Sequence, residues 1–176
     1  MEAALEGSAD AFGELVERYE ERLFRFLITR CTTRADAEDA LQDTFFNAFR
    51  YLASYRPRWR FSTWLYRIAI RNAARGRGRE GESFEDAPEE GADLLEQCIR
   101  DADVENLWVT ARRLLPPDAF SALWLRYAED MPVKEVARAL QRSQPWTKVT
   151  LLRARNRLRA ELTPDASDTS EGKVYG

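Results

Sequence analysis

The stretch PVKEVARALQRSQPWTKVTLLRARNRLR, residues 132–159, decides how the rest of the chain is read. Apolar residues recur at threes and fours over 133–140, the four-residue turn QRSQ follows, and a longer basic helix is expected over 144–161. A short helix, a tight turn and a longer helix make a helix-turn-helix pattern. Pro132 and Pro145, like Pro117 before them, sit in or beside a first turn, where a missing N–H costs little. On the long helix Leu151, Ala154, Leu158 and Leu162 share an inner side with Thr147. Trp146, Val149, Thr150, Arg153 and Arg157 then point outward, with Lys148, Arg155 and Arg159 on a flank. That flank suits phosphates, whereas Trp146 and Val149 offer a base edge only apolar contact.

Working outward, the same periodicity predicts helices at 103–114 and 117–129, completing a domain over 103–162. A first domain, 9–79, is expected to hold helices at 9–29, 34–53 and 61–76, with Asp10 and Thr33 as caps and Gly76 as a stop. Between the two lies EGESFEDAPEEGADLLEQ, acidic and broken by glycines and a proline, so residues 80–102 read as a flexible linker. The tail, 163–176, reads as disordered. The fold class is therefore all-α, two small helical domains joined by an acidic linker.

Charge is segregated along this frame. Residues 12–79 and 106–162 each sum to +6, residues 80–105 to −10, and the whole chain to −3. Residues 50–79 contain nine arginines and no acid. Such asymmetry points to a polyanionic partner, although a run of charge also serves as a plain solvated face. No stretch approaches the roughly 18 consecutive apolar residues of a membrane span, so no membrane insertion and a cytoplasmic location are expected. There is no histidine, and Cys31 and Cys98 show no metal-ligand spacing. The usual general base and nucleophile pairs are thus missing, and neither an enzyme nor a cofactor is expected.

Two faces of the first domain invite contact. Along 33–55, Ala37, Leu41, Thr44, Phe45, Ala48 and Leu52 form a core stripe, and the opposite side carries Asp39, Gln42, Asp43, Phe46, Phe49 and Arg50. Two phenylalanines ringed by acids and an amide either pack on the chain's own first helix or anchor a protein partner. Along 54–79, Phe61, Trp64, Leu65, Ile68 and Asn72 share an inner face, while Ser62, Thr63, Tyr66, Arg67 and Arg71 read as outward. The loop before them offers Arg56, Arg58, Trp59 and Arg60. Arginines interleaved with aromatics suit single-stranded DNA, the arginines neutralising phosphates while rings receive unstacked bases. The plainer alternative is that the tryptophans pack and the arginines are solvated.

ADAFGELVERYEERLFRFL, DAEDALQDTFFNAF, FSTWLYRIAIRNAAR and LPPDAFSALWLRYAEDMPVKEVARAL with RARNRLR, in that order over residues 9–162, resemble the extracytoplasmic-function (ECF) group of the bacterial sigma-70 family. The resemblance implies an alternative sigma factor that binds core RNA polymerase and directs promoter recognition and melting. It places Asp39, Gln42, Asp43, Phe46 and Phe49 against the coiled coil of the largest polymerase subunit. It places Arg56, Arg58, Trp59, Arg60, Ser62, Thr63, Arg67 and Arg71 on the promoter minus-10 element. Lys134, Gln144, Trp146, Lys148, Thr150, Arg153, Arg155 and Arg157 then belong to the minus-35 element, and an anti-sigma factor is an expected partner. The family's usual glycine-threonine-valine opening of the last helix is replaced by Pro145, Trp146 and Thr147, and its serine-arginine by Val149 and Thr150. Those departures keep open an alternative, a sigma-derived interaction module with lost or altered minus-35 readout.

Overall fold

The computed structural model describes residues 2–75 and 104–162, with side chains for 3–74 and 107–162. The linker, the tail and the Gly76 stop expected above lie outside the described residues. Helix α1 (Glu2–Leu5) leads into α2 (Ala9–Arg30), α3 (Arg34–Arg50), a 3-10 turn (Leu52–Ser54) and α4 (Phe61–Arg75). The second domain holds α5 (Val104–Leu114), α6 (Pro117–Tyr127), α7 (Val133–Leu140) and α8 (Gln144–Leu162). No strand occurs among the described residues.

The caps explain where these helices begin and end. The Ser8 hydroxyl accepts from Ala11 N at 3.3 Å and caps α2 in place of the expected Asp10, which lies within the first turn. Two capping-competent residues stood two positions apart, and the backbone turned at the earlier one. Thr33 caps α3 as expected, in a capping box where Thr33 Oγ1 accepts from Asp36 N and Thr33 N donates to Asp36 Oδ2. Gln141 ends α7 in the left-handed region at φ 56°, its N–H reaching the Arg138 carbonyl while Arg142 N reaches that of Ala137 at 2.9 Å. This is a Schellman closure, and it turns the chain sharply into α8.

Helices α2, α3 and α4 form a three-helix bundle around Phe12, Leu15, Leu23, Leu27, Ala37, Ala48, Leu65 and Ala69, all buried. Within it Thr44 Oγ1 donates to the Ala40 carbonyl and accepts from Asn72 Nδ2 at 3.2 Å, a buried polar tie between α3 and α4. The second domain closes on Leu107, Phe120, Leu123, Leu125, Val136, Leu140, Leu151, Ala154 and Leu158. Arg113 and Glu161 pair at 2.5 Å and fasten α5 to α8.

The two domains also pack on each other. Helix α7 lies against α4, and the Phe26 ring approaches that of Trp124 with centroids 6.3 Å apart. Arg22 pairs with Glu129 at 2.7 Å, the carboxylate side chain being 3% exposed. Arg30, itself buried, donates to the Pro117 carbonyl at 2.9 Å and to Ser121 Oγ. This packing corrects the expectation for Thr63 and Tyr66. Both were read as outward and both are buried, Thr63 against Glu135 of α7 and Tyr66 against Phe26 of α2 and beside Glu129.

Candidate functional site

Two concave surfaces sit on the first domain. The larger is a cavity of about 620 Å³, walled by Asn47, Tyr51 and Ser54 from α3 and the turn after it, and by Arg56, Arg58 and Trp59 from the loop. Trp64, Arg67, Ile68, Arg71 and Asn72 of α4 complete the first-domain wall. The loop keeps its shape because Tyr55 Oη donates to the Trp59 carbonyl at 2.6 Å and Arg56 donates to the Ala53 carbonyl at 3.2 Å. Tyr55, Phe61 and Trp64 form a ring cluster with centroids 5.6 to 5.7 Å apart beneath it. Burial is the main cause that raises the Tyr55 phenol above its ordinary pKa, with Tyr19 and Glu135 adding to it. Positive charge over an aromatic floor gives this cavity the chemistry of a strand-and-base receptor.

Each residue expected here is now placed. Arg56, Arg58, Arg67 and Arg71 are exposed at the rim, Trp59 is half-buried and Thr63 buried in the wall, whereas exposed Arg60, paired with Glu135, and half-buried Ser62 lie outside the lining. The structure adds Asn47, Tyr51, Ser54 and Asn72 to the wall, and one residue from the other domain, Arg138. Asn47 carried a weak signal, as a polar residue beside an aromatic stripe. Arg138 carried none, since its arrival depends on how the domains pack.

The second surface is an apolar groove of about 510 Å³ lined by Phe12, Leu41, Phe45, Phe46 and Phe49 with Glu20, Glu38 and Gln42 at its rim. Phe46 and Phe49 remain 62% and 55% exposed, even though Phe49 meets Phe12 edge-on at 5.1 Å. One ring leans on α2, and most of the apolar area still faces water. Asp39, Gln42 and Asp43 are exposed around it.

The third set lies on the helix-turn-helix. Gln144 and Lys148 are exposed, Thr150 and Arg153 are half-buried, and Arg157 is exposed. Arg155 donates to Tyr127 Oη at 3.1 Å. Trp146, expected to point outward, is half-buried against the domain core, with the Arg142 guanidinium 5.1 Å from its ring. Its indole is too large for the surface to leave bare. Val149 does face out, 39% exposed. Lys134 is separated from this set, standing 5.1 Å from the Trp59 ring of the first domain. Among the described residues no group of acidic or cysteine side chains is arranged to hold a metal. None of the described helices is long and apolar enough to cross a membrane.

Comparison with known proteins matches residues 15–88 to sigma-70 region 2 and residues 109–158 to sigma-70 region 4. The chain is 29% identical to the ECF RNA polymerase sigma-E factor of Haemophilus influenzae, covering 93% of this chain and 94% of that one. It is 28% identical to the RNA polymerase sigma-H factor of Pseudomonas aeruginosa, over 93% and 92%. Among solved structures it is similar to CnrH in complex with the cytosolic domain of CnrY, at 26% identity and a TM-score of 0.65, covering 91% and 92%.

Proposed function

The chain belongs to the extracytoplasmic-function group of the sigma-70 family, and on that premise we propose that it is an alternative sigma factor that binds core RNA polymerase, recognises promoters and opens them. One observation carries the reading: both family regions are present in order, and the first supplies an apolar docking groove and an arginine-rimmed aromatic cavity on separate faces. Residues 9–79 take the polymerase and the minus-10 element, and residues 103–162 take the minus-35 element. The acidic segment 80–102 joins them.

In this reading Phe46 and Phe49 anchor the coiled coil of the largest polymerase subunit, with Asp39, Gln42 and Asp43 as the polar rim. At the promoter, Arg67 and Arg71 meet backbone phosphates while the loop aromatics receive an unstacked base. Strand opening is driven by binding energy, with no reaction catalysed by this chain. Lys148, Arg153, Arg155 and Arg157 position the second domain on phosphates, and Gln144 and Thr150 bring the polar atoms nearest a base edge. Trp146 supports that helix, with its ring against the domain core. The chain works where polymerase and chromosome meet, in the cytoplasm, and an anti-sigma protein is its proposed regulator.

Run-off transcription with purified core polymerase on a genomic fragment library tests the proposal. Specific starts that need this chain are the expected result. Tight polymerase binding without starts would overturn it.

A further inference from the structure

We propose that helix α7 holds the free chain closed by occupying the minus-10 groove as a stand-in for nucleic acid. The inference rests on assigning Trp59, Arg60 and Thr63 to DNA, as above. The Arg138 guanidinium lies 3.7 Å from the centroid of the Trp59 ring, with Lys134 Nζ at 5.1 Å. A flat, delocalised cation thus takes the surface on which an unstacked base would stack. Beside it the Glu135 carboxylate accepts a hydrogen bond from Thr63 Oγ1 and pairs with Arg60 at 3.6 Å. Anionic oxygens therefore sit where a backbone phosphate would sit. Arg138 also closes the wall of the 620 Å³ cavity. Neither partner in these contacts can serve a promoter while it serves the other.

A second set of contacts, outside the groove, fastens the same two domains. The Arg22–Glu129 pair joins α2 to the end of α6, neither residue lining the cavity, and Arg30 reaches Ser121 and the Pro117 carbonyl from the end of α2. Against these stands a cost. Tyr66 Oη, beside the Glu129 carboxylate, and Trp124 Nε1 are buried without a hydrogen bond of good geometry. An interface that mixes ring contact with paired and imperfectly satisfied polar groups is one that can open. The docking face is untouched by it, since Phe46 and Phe49 remain mostly exposed. Polymerase therefore has access to the closed chain, whereas a strand reaching the cavity finds the Trp59 face and the Thr63 hydroxyl already taken.

The test compares the full-length chain with Glu135→Gln and Arg22→Ala. Small-angle scattering reads the opening, and the probe is a fluorescein-labelled 12-nucleotide single strand of random sequence. Glu135→Gln removes a negative charge from the groove, so a gain in DNA affinity from it alone has a local electrostatic explanation. Arg22→Ala acts elsewhere in the interface and removes a positive charge, so a gain from it reports opening. Both variants are expected to expand and to bind the strand roughly tenfold more tightly, because the apparent affinity scales with the open fraction. Far-UV dichroism matching that of the unaltered chain shows that each variant is folded.

Unchanged dimensions in both variants would overturn the latch and leave the DNA assignment standing. Expansion with unchanged affinity would overturn the masking, because the uncovered surface would not be where the strand binds. A gain from Glu135→Gln without one from Arg22→Ala would reduce Glu135 to a local charge effect and also overturn it.

Discussion

Phe46→Ala isolates the docking assignment. The side chain is 62% exposed in the free chain, so docking has most of its surface still to cover. For a phenylalanine of about 200 Å² that is roughly 120 Å², or about 3 kcal/mol at ~25 cal/mol per Å². Fixing a mobile ring costs about 0.5–1 kcal/mol, which leaves about 2 kcal/mol and a loss of roughly 30-fold in Kd. The measurement is biolayer interferometry on immobilised core polymerase, with thermal melting alongside. Melting should barely move, because an exposed ring contributes little to the bundle. Val109→Ala is the control, since Val109 is 63% exposed on α5, away from the groove, and should leave the affinity unchanged. An affinity within threefold of the unaltered chain for Phe46→Ala, or an equal loss for Val109→Ala, refutes the reasoning.

Replacing Arg67 and Arg71 together with alanine should weaken promoter opening and lower the salt slope of single-strand binding by about 1.4, at ~0.7 per phosphate contact; an unchanged slope argues against DNA there. Thr44→Val keeps the shape of α3 but removes the acceptor of the Asn72 hydrogen bond, and urea unfolding should show a loss of about 1–3 kcal/mol. Gln141→Gly relieves a left-handed residue and should add about 0.5–1 kcal/mol, read as a rise of a few degrees in Tm. Burial, reinforced by the Glu129 carboxylate, pushes the Tyr66 phenol well above its ordinary range. Above pH ~10 the unfolded chain releases that proton while the folded chain keeps it, so stability should fall as pH rises, visible as an alkaline drop in urea midpoint.

The helices were legible because each carries its own period and punctuation. Helix α7 begins and ends where its apolar repeat, Pro132 and Gln141 place it, and Thr33 starts α3 through a capping box readable in sequence. The misreadings share a cause in distance along the chain. Thr63 and Tyr66 have polar atoms and fall outside the apolar stripe of α4, so a helical wheel assigns them to water. Thr63 is covered by Glu135, and Tyr66 by Phe26, Trp124 and Glu129, and no local pattern records those meetings. Trp146 was misplaced for a different reason, because its large ring packs against the domain core from a position that a helical wheel puts on the outer side. The site was legible to the extent that its side chains are contiguous, as in Arg56 to Arg60. Asn47 and Arg138 became part of it only through packing.

Helix α2 has consequences for anyone who would cut this protein in two. Its 22 residues, about 33 Å of helix at ~1.5 Å per residue, serve the bundle through Leu15, Leu23 and Leu27 and serve the second domain through Arg22, Phe26 and Arg30. A fragment ending after the first domain would lose the cover that Trp124 gives Phe26 and would bare Tyr66 as well. An apolar seam of that kind recruits whatever is nearby, including other copies of the fragment. Poor solubility of either half would then be a property of the cut.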